Sequence, residues 1–327
     1  MAFTNDLQLG WIGLGSMGFA MATNIQTYLS QSNQLPLHYT NRTLSRGNLL
    51  KEDGGVPCQS VRELVQKSDV VFISVSDDEA LTTVVKEILD SGTIKDKIFV
   101  DTTTAHPNTT TTVTSQFTSA DASYIAAPVF GATPLAQAGQ LLISVAGPAP
   151  AISTITPFLQ GVLARAVINV GPDPSKALLL KTTSNFITAG LMYLLSEAHT
   201  LTEKADLPAS VLESLIEQNF GAYAHGVSKR LTSGSYYPAE GQAPSSGLEL
   251  GIKDIGHGLS VAEERGMKLE VGELSMRAMV EAKSYGDERG KRLDSSSVFG
   301  VVRKWAGLEF ETGVVRERDG VREKVGQ

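Results

Sequence analysis

The chain has 327 residues, of which 42% are hydrophobic and 19% charged, and its formal net charge is −7. This length favours two domains, and the ordinary apolar content excludes a disordered, collagen-like or disulfide-rich protein. The net negative charge argues against nucleic acid as a main partner. The single cysteine, Cys58, cannot form an internal disulfide. Since the first residues also lack a targeting pattern, we expect a cytoplasmic protein.

We expect neither a membrane span nor a metal site. The most apolar stretch, residues 177–195, is interrupted by Lys181 and Asn185. A membrane helix needs about 20 consecutive residues that are predominantly apolar. The sequence therefore predicts a soluble protein whose partners are small molecules.

Apolar runs alternate with helix-like stretches in the first half of the chain, which is typical of a parallel sheet covered by helices. The run 70–75 is apolar at nearly every position, as in a strand buried on both faces. This pattern predicts a doubly wound α/β domain over residues 1–172. The predicted strands lie at residues 7–12, 35–40, 70–75, 98–100, 124–127, 141–145 and 166–170.

The character of the sequence changes after residue 172. Between Pro174 and Pro208 there is no proline and a single glycine, Gly190, so we expect one long interdomain helix over residues 173–206. Beyond it β-branched runs disappear, and the pattern predicts an all-α domain over residues 207–312. Its helices are predicted at about 209–231, 248–265, 270–286 and 295–306. The charged tail, residues 313–327, is expected to fray.

Three glycines follow the first predicted strand in the order Gly13, Gly15 and Gly18, just before a predicted helix. In a dinucleotide-binding turn the first glycine makes the tight turn, the second lets the backbone approach the pyrophosphate, and the third allows close packing of helix and strand. Backbone N–H groups and the helix dipole then hold the phosphates. The alternative is a glycine-rich turn without a ligand. We expect a Rossmann-type nucleotide site.

The end of the second predicted strand distinguishes the two nicotinamide cofactors. Enzymes that use NAD place an acidic residue there for the ribose hydroxyl, but here the sequence is Asn41-Arg42-Thr43, with no acid before Glu52. An arginine binds a 2′-phosphate through its planar fork of donors, and Asn41 and Thr43 can add neutral hydrogen bonds. Arg42 could instead be an ordinary surface arginine. The pattern favours NADPH/NADP+.

Lys181, Ser184 and Asn185 share one face of the predicted long helix, because they are three and four residues apart. Apolar residues surround them, and a lysine in such a place has a lowered pKa and can exchange a proton near neutral pH. Reduction of a carbonyl group needs such a donor beside the oxygen. The alternative is a lysine that extends from a buried helix into water. Asn185 could equally be a polar residue at a contact between two helices.

Six segments carry a resemblance to a known family. They are the loop Gly13-Leu14-Gly15-Ser16-Met17-Gly18; Asn41-Arg42-Thr43; Asp101-Thr102-Thr103-Thr104; Ala127 to Ala132 followed by Ala136 to Leu141; Gly171 followed by Lys181 and Asn185; and Lys253-Asp254. In order and spacing these segments resemble the β-hydroxyacid dehydrogenases. That group includes 3-hydroxyisobutyrate dehydrogenase, glyoxylate/succinic semialdehyde reductase and 6-phosphogluconate dehydrogenase.

The resemblance implies a catalytic pair and a set of substrate contacts. Lys181 would be the general acid that protonates the carbonyl oxygen, and Asn185 would orient the substrate. The remaining substrate-binding positions would be Thr103, Val129, Phe130, Gly131, Lys253 and Asp254. Thr103 could instead be an ordinary strand-end hydroxyl, and Lys253-Asp254 a surface ion pair.

The resemblance also implies a cofactor site and a homodimer. Val75 and Ser76 would border the nicotinamide, and the helical domain would form the dimer. The implied cofactor-binding positions are Gly13, Leu14, Gly15, Ser16, Met17, Gly18, Asn41, Arg42, Thr43, Val75, Ser76, Thr103 and Lys253.

The chain departs from the family pattern at three positions. Phe130 stands where the family has a serine, Ala132 where it has a glycine, and Ser184 where several relatives carry Asn or His. Loss of the serine hydroxyl argues against a small polar acid such as glyoxylate, while an aromatic ring favours a longer or more apolar substrate.

We therefore predict an NADPH-dependent reductase of a small aldehyde or keto acid, with a short acid such as succinic semialdehyde as the first substrate to test. An imine reductase or reductive aminase is one alternative, although such enzymes typically carry another residue in place of Lys181. A non-catalytic binding module is the other; relatives of that kind tend to lose the lysine. The roles of His257 and Tyr236 stay open.

Overall fold

The computed structural model describes residues 7–320. The chain forms two compact units, which divide between Lys181 and Thr182. The first unit is built on a sheet and the second on helices alone. The predicted fold class, a doubly wound α/β domain joined by a long helix to an all-α domain, is confirmed.

In the described part of the sheet unit, residues 7–181, the sheet has nine strands. They are β1 (Leu9–Ile12), β2 (His38–Thr40), β3 (Val56–Pro57), β4 (Val70–Ile73), β5 (Ile98–Asp101), β6 (Ser123–Ala126), β7 (Val129–Phe130), β8 (Leu141–Ala146) and β9 (Ala164–Gly171). Their order is β3-β2-β1-β4-β5-β6-β8-β7, and β9 pairs with β8. The first six strands are parallel to one another, and their order is that of a dinucleotide-binding fold, whereas β6 pairs antiparallel with β8.

Helices cover this sheet on both faces. They are α1 (Ser16–Gln31), α2 (Asn48–Glu52), α3 (Val61–Lys67), α4 (Asp78–Leu89), α5 (Pro107–Ser119), α6 (Thr133–Gln137) and α7 (Ala149–Leu159). Alternate residues of a strand enter two separate cores: Val70 and Phe72 of β4 pack in one, Val71 and Ile73 in the other. This double burial explains why the strand is apolar at every position.

The long helix α8 (Pro174–Lys204) has 31 residues and crosses the division between the units. Ala177 and Leu178 are 0% exposed and pack in a core of the sheet unit, whereas Met192 and Tyr193 pack in the core of the helical unit. Among the described residues, α8 is the single helix whose length and apolar composition would suffice to cross a membrane. Core helices of soluble proteins have the same properties.

The helical unit continues with α9 (Ala209–Thr232), α10 (Leu248–Glu264), α11 (Glu270–Asp287), α12 (Val298–Trp305) and α13 (Gly313–Arg318). Gly221 breaks the regular path of α9, because its backbone has φ 81°. The other helix bounds lie within a few residues of the sequence prediction.

The sequence prediction differs from the structure in three places. The strands β3 and β7 were not predicted, because each has two residues and no apolar run. The start of the tail was expected to fray, but it forms α13, where Val315 is 1% exposed and its N–H donates to the Thr312 hydroxyl. Residues 321–327 of that tail lie outside the described part of the chain.

Candidate active site

Backbone hydrogen bonds connect the carboxyl ends of neighbouring parallel strands at one edge of the sheet. The N–H of Gly13, after β1, donates to the carbonyl of Thr40 over 3.1 Å. The N–H of Ser74, after β4, donates to the carbonyl of Ile12 over 2.9 Å. The strand β1 lies between β2 and β4, so the winding of the sheet reverses at its end. Open α/β sheets bind ligands at this kind of switch point.

Two of the three loop glycines are required by the protein's own backbone. Gly13 has φ 98°, and a Cβ at this position would lie 2.1 Å from the carbonyl oxygen of Ser74. A Cβ on Gly18 would lie 2.3 Å from the carbonyl oxygen of Gly13. A side chain at Gly13 would therefore force the loop away from the end of β4, and one at Gly18 would force α1 away from the loop.

Gly15 differs from both, since a Cβ there would meet no atom within 4 Å. Its extended backbone begins α1, whose first turn carries no acidic residue. A helix start of this kind offers backbone N–H groups and partial positive charge to an anion. The space at Gly15 and the donors of α1 fit the pyrophosphate of a dinucleotide.

Asn41 connects the glycine loop to the end of β2. Its Oδ1 accepts a hydrogen bond of 2.9 Å from the Leu14 N–H, and its Nδ2 donates to the Thr43 carbonyl over 2.8 Å. The amide is thus engaged in shaping the loop. Arg42 and Thr43 are exposed beside it.

A second arginine, Arg46, lies near the same strand end and was not among the predicted site residues. Arg46 is exposed in the 3₁₀ turn Leu44–Gly47, four residues after Arg42. A second basic residue shortly after the strand was the available signal. Arg42 and Arg46 together give this end of the sheet a net positive charge, since the segment 41–51 contains no acid.

Thr103 orders the backbone at the ends of β4 and β5. It is 2% exposed, and its hydroxyl accepts a hydrogen bond of 3.2 Å from the Val75 N–H. Its own N–H donates to Oδ1 of Asp101 over 2.9 Å. The neighbouring Ser76 is exposed and donates to Oδ2 of Asp77 over 2.6 Å. In this arrangement Thr103 positions Val75, and its contact with a substrate stays a prediction.

Asp101, the last residue of β5, is a buried carboxyl that the sequence analysis did not include among the site residues. It is 1% exposed, and burial raises its pKa to about 6 although hydrogen bonds from Thr103 and Tyr124 oppose the shift. The Tyr124 hydroxyl donates to Oδ2 over 2.7 Å. A single acid at the end of an apolar strand was the sequence signal for this residue.

The segment 129–131 lies beside the start of α8. Val129 is 8% exposed and pairs with Ile143, while Phe130 pairs with Leu142. Gly131 is exposed, with φ 129°. Nζ of Lys181 lies over the ring of Phe130, 5.1 Å from its centroid. Within the sheet unit, the ammonium group of Lys181 therefore lies next to the predicted substrate segment.

Three predicted site residues meet in the helical unit. Nδ2 of Asn185 donates to Oδ2 of Asp254 over 2.8 Å, and Nζ of Lys253 lies 3.2 Å from Oδ1 of the same carboxylate. The Lys253 and Asp254 side chains are 20% and 22% exposed, so the pair is largely shielded from water. His257 follows one turn later on α10.

Tyr236 is part of the helical core. It is 0% exposed, its hydroxyl donates to the Phe310 carbonyl over 2.9 Å, and it accepts from the Thr312 N–H over 2.8 Å. Burial raises its pKa to about 12. Its hydroxyl therefore holds residues 310–312 in place.

Residues 8–171, half of the 327-residue chain, match a family model described as the NAD binding domain of 6-phosphogluconate dehydrogenase. A protein of Aspergillus ustus named NADH-dependent oxidoreductase ucdB is 25% identical over 297 residues, which are 90% of this chain and 99% of the relative. Glyoxylate/succinic semialdehyde reductase 1 of Arabidopsis thaliana is 26% identical over 289 residues, which are 86% of this chain and 94% of the relative.

A solved structure described as Psf3 in complex with NADP+ and 2-OPP has a TM-score of 0.76 with this chain at 25% identity. The similarity covers 90% of this chain and 99% of that one. The sequence similarity to the two relatives and the shared fold of the solved structure therefore extend over nearly the whole length of those proteins.

Proposed function

The chain belongs to the β-hydroxyacid dehydrogenase family and is an NAD(P)-dependent oxidoreductase, and from this premise we propose that it is an NADPH-dependent reductase of a small aldehyde or keto acid. The main support for this proposal is the contact between Lys181 and the ring of Phe130, because it brings an ammonium group beside the predicted substrate turn at 129–131. A proton donor at that place is what reduction of a carbonyl group requires.

The residues of this chain have separate tasks in the proposed reaction. The nicotinamide, when bound, supplies the hydride. Lys181 donates a proton to the carbonyl oxygen of the substrate, and in the reverse direction it accepts the proton of the alcohol. Asn185 orients the substrate and is itself held by Asp254. The backbone at 129–131 and the Lys253-Asp254 pair are the further proposed substrate contacts. Thr103 contributes indirectly, because its hydroxyl accepts a hydrogen bond from the Val75 N–H and so joins the ends of β4 and β5.

The cofactor site in the proposal consists of the glycine loop and the end of β2. The open space at Gly15 supports binding of the pyrophosphate. The exposed Arg42 and Arg46 support preference for the 2′-phosphate of NADPH, because no carboxylate in the segment opposes it. One relative is named as NADH-dependent, so direct comparison of the two cofactors is the decisive measurement.

A homodimer in the cytosol completes the proposal. Three residues of α8 at seven-residue spacing, Ile187, Leu194 and Leu201, are 60%, 60% and 69% exposed. An apolar stripe of this kind is typical of a surface that another chain covers. Cys58 is a buried free thiol, as expected in a reducing compartment.

The test is an activity panel of short aldehydes, keto acids and cyclic imines with NADPH and NADH, measured by cofactor absorbance. We expect carbonyl reduction, with NADPH preferred. Lys181→Ala should lower kcat by about 10²- to 10⁴-fold, the usual contribution of a positioned acid. The matched control is Lys176→Ala, an exposed lysine of the same helix, which should retain full activity. Unchanged turnover in Lys181→Ala, or turnover of imines alone, would contradict the proposal.

A further inference from the structure

Phe130 and Lys181 form a pair of an aromatic ring and a cation inside the sheet unit. Nζ of Lys181 lies 5.1 Å from the ring centroid, above the ring face. A ring face attracts a positive charge at up to about 6 Å, and the attraction increases as water is excluded. Both side chains are half-buried. The ring therefore stabilises the protonated form of Lys181.

Both partners are carried by well-packed backbone. Phe130 belongs to β7 and is fixed by pairing with Leu142 of β8. Gly131 follows the strand, and a Cβ there would lie 2.9 Å from the side chain of Leu141. The first turns of α8 are anchored by Ala177 and Leu178, which are both 0% exposed. The backbone segments that carry the ring and the ammonium group are thus both held by packed elements.

The ring also determines the chemistry next to Lys181. A phenyl group donates no hydrogen bond, and the negative charge density on its face disfavours an adjacent carboxylate. Its neighbours add no polar side chain, because Val129 is apolar and Gly131 has none. The substrate portion that contacts this segment meets an apolar surface and backbone.

We propose that Phe130 positions Lys181 and selects the substrate: its ring holds the ammonium charged, and it favours carbonyl compounds with an alkyl or aryl substituent over those with a carboxylate. This inference rests on the proposed role of Lys181 as proton donor. The bonds formed are those of the proposed reaction, in which the carbonyl carbon gains a hydride and the oxygen gains the proton of Lys181.

Substrate selection is tested with two aldehydes of nearly the same shape, 4-methylpentanal and succinic semialdehyde, which differ by an isopropyl group in place of a carboxylate. We expect kcat/KM of the wild type to be at least about tenfold higher for 4-methylpentanal, the scale on which apolar pockets discriminate. Phe130→Ser should reduce this ratio by about tenfold or more. A wild-type preference for succinic semialdehyde, or an unchanged ratio in Phe130→Ser, overturns the selection.

Positioning is tested by the pH dependence of kcat in Phe130→Leu and Phe130→Tyr. Leucine keeps an apolar side chain without a ring face, so the high-pH limb should move to lower pH by about half a unit. Tyrosine keeps the ring and should restore the wild-type limb. An unmoved limb in Phe130→Leu overturns the positioning role. Should Phe130→Leu fail to fold, as judged by its melting curve, Phe130→Met provides the same comparison.

The variant Lys181→Ala distinguishes a failure of the proposed role of Phe130 from a failure of the proposed function on which that role depends. Full activity in Lys181→Ala refutes the proton donor itself. Loss of activity there, combined with Phe130 variants that keep the wild-type substrate ratio and pH profile, refutes the role of Phe130 alone. Binding of NADPH, measured by fluorescence for each variant, should stay within about twofold of wild type, because Phe130 is not among the proposed cofactor contacts; a larger loss would mean that the substitution disturbs the whole unit and overturns the assignment.

Discussion

The side-chain nitrogen of Asn185 donates a 2.8 Å hydrogen bond to Oδ2 of Asp254, and so joins α8 to α10 within the helical unit. The two residues are 69 positions apart in the chain. Hydrogen bonds to a charged acceptor are stronger than neutral ones, and they restrict the rotamer of the donor. We therefore expect Asp254 to act as a positioning residue for the amide that is proposed to orient the substrate.

Substitution of Asp254 should impair turnover of the substrate without weakening the binding of NADPH. We expect Asp254→Ala to lower kcat/KM for the carbonyl substrate by about tenfold, because the Asn185 amide loses a charged partner. The KM for NADPH should stay unchanged. Asp254→Asn should recover most of the loss, since an amide oxygen also accepts from Asn185. Steady-state kinetics check this, with the exposed Glu249→Ala of the same helix as control. Equal defects in the Ala and Asn variants would contradict the positioning role.

The two arginines after β2 should determine cofactor preference together. We expect Arg42→Ala and Arg46→Ala each to raise the KM for NADPH, and the double variant to raise it by about 10- to 100-fold, the range for lost charge-assisted hydrogen bonds. The KM for NADH should change little, because NADH has no 2′-phosphate. Arg165→Ala, an exposed arginine of β9, is the matched control. A parallel loss for both cofactors would show that the arginines shape the loop rather than bind the phosphate.

Asp101 should make the free energy of unfolding depend on pH. Its pKa is about 6 in the folded protein, against 3.8 for an exposed aspartate. Because the folded value is raised, this group's contribution is complete below pH 3.8 and is lost as the pH rises through about 6. From pH 5 to pH 7.5 the loss is about 1–2 kcal/mol.

Asp101→Asn cannot ionise, so its unfolding free energy should fall less over this pH range than that of the wild type. The asparagine oxygen still accepts from the Thr103 N–H, which keeps the local geometry. Urea unfolding at both pH values measures the difference, and Glu87→Gln on the exposed face of α4 is the control. Parallel pH curves for wild type and Asp101→Asn would refute the raised pKa.

Local patterns in the sequence predicted the architecture but not the contacts that complete the site. The apolar runs of β1, β4 and β5 reflect strands buried on both faces, so each could be found without knowledge of its neighbours. The strand β7 could not be found in this way. It has two residues, and it exists because β8 offers a partner edge.

The same distinction holds for individual side chains. The conformation of Gly13 follows from its place between strand and helix, which sequence reveals. The bond between Asn185 and Asp254 and the burial of Asp101 depend on residues far away in the chain. Phe130 was recognisable in the sequence as a departure from a family pattern, but its contact with Lys181 depends on the fold, since the two residues are 51 positions apart.

A charge introduced into the apolar stripe of α8 should disrupt the proposed homodimer. Ile187, Leu194 and Leu201 are two turns apart in succession and are all largely exposed, so they form a continuous line on one face of the helix. We expect Leu194→Asp to convert a dimer into a monomer at micromolar concentration, since an unpaired carboxylate in an apolar interface is strongly unfavourable. Sedimentation velocity measures the change. Leu49→Asp in α2 is the matched control, because Leu49 is 61% exposed and Leu194 60%. A monomeric wild type, or a Leu194→Asp variant that stays dimeric, would show that this stripe is not the dimer interface.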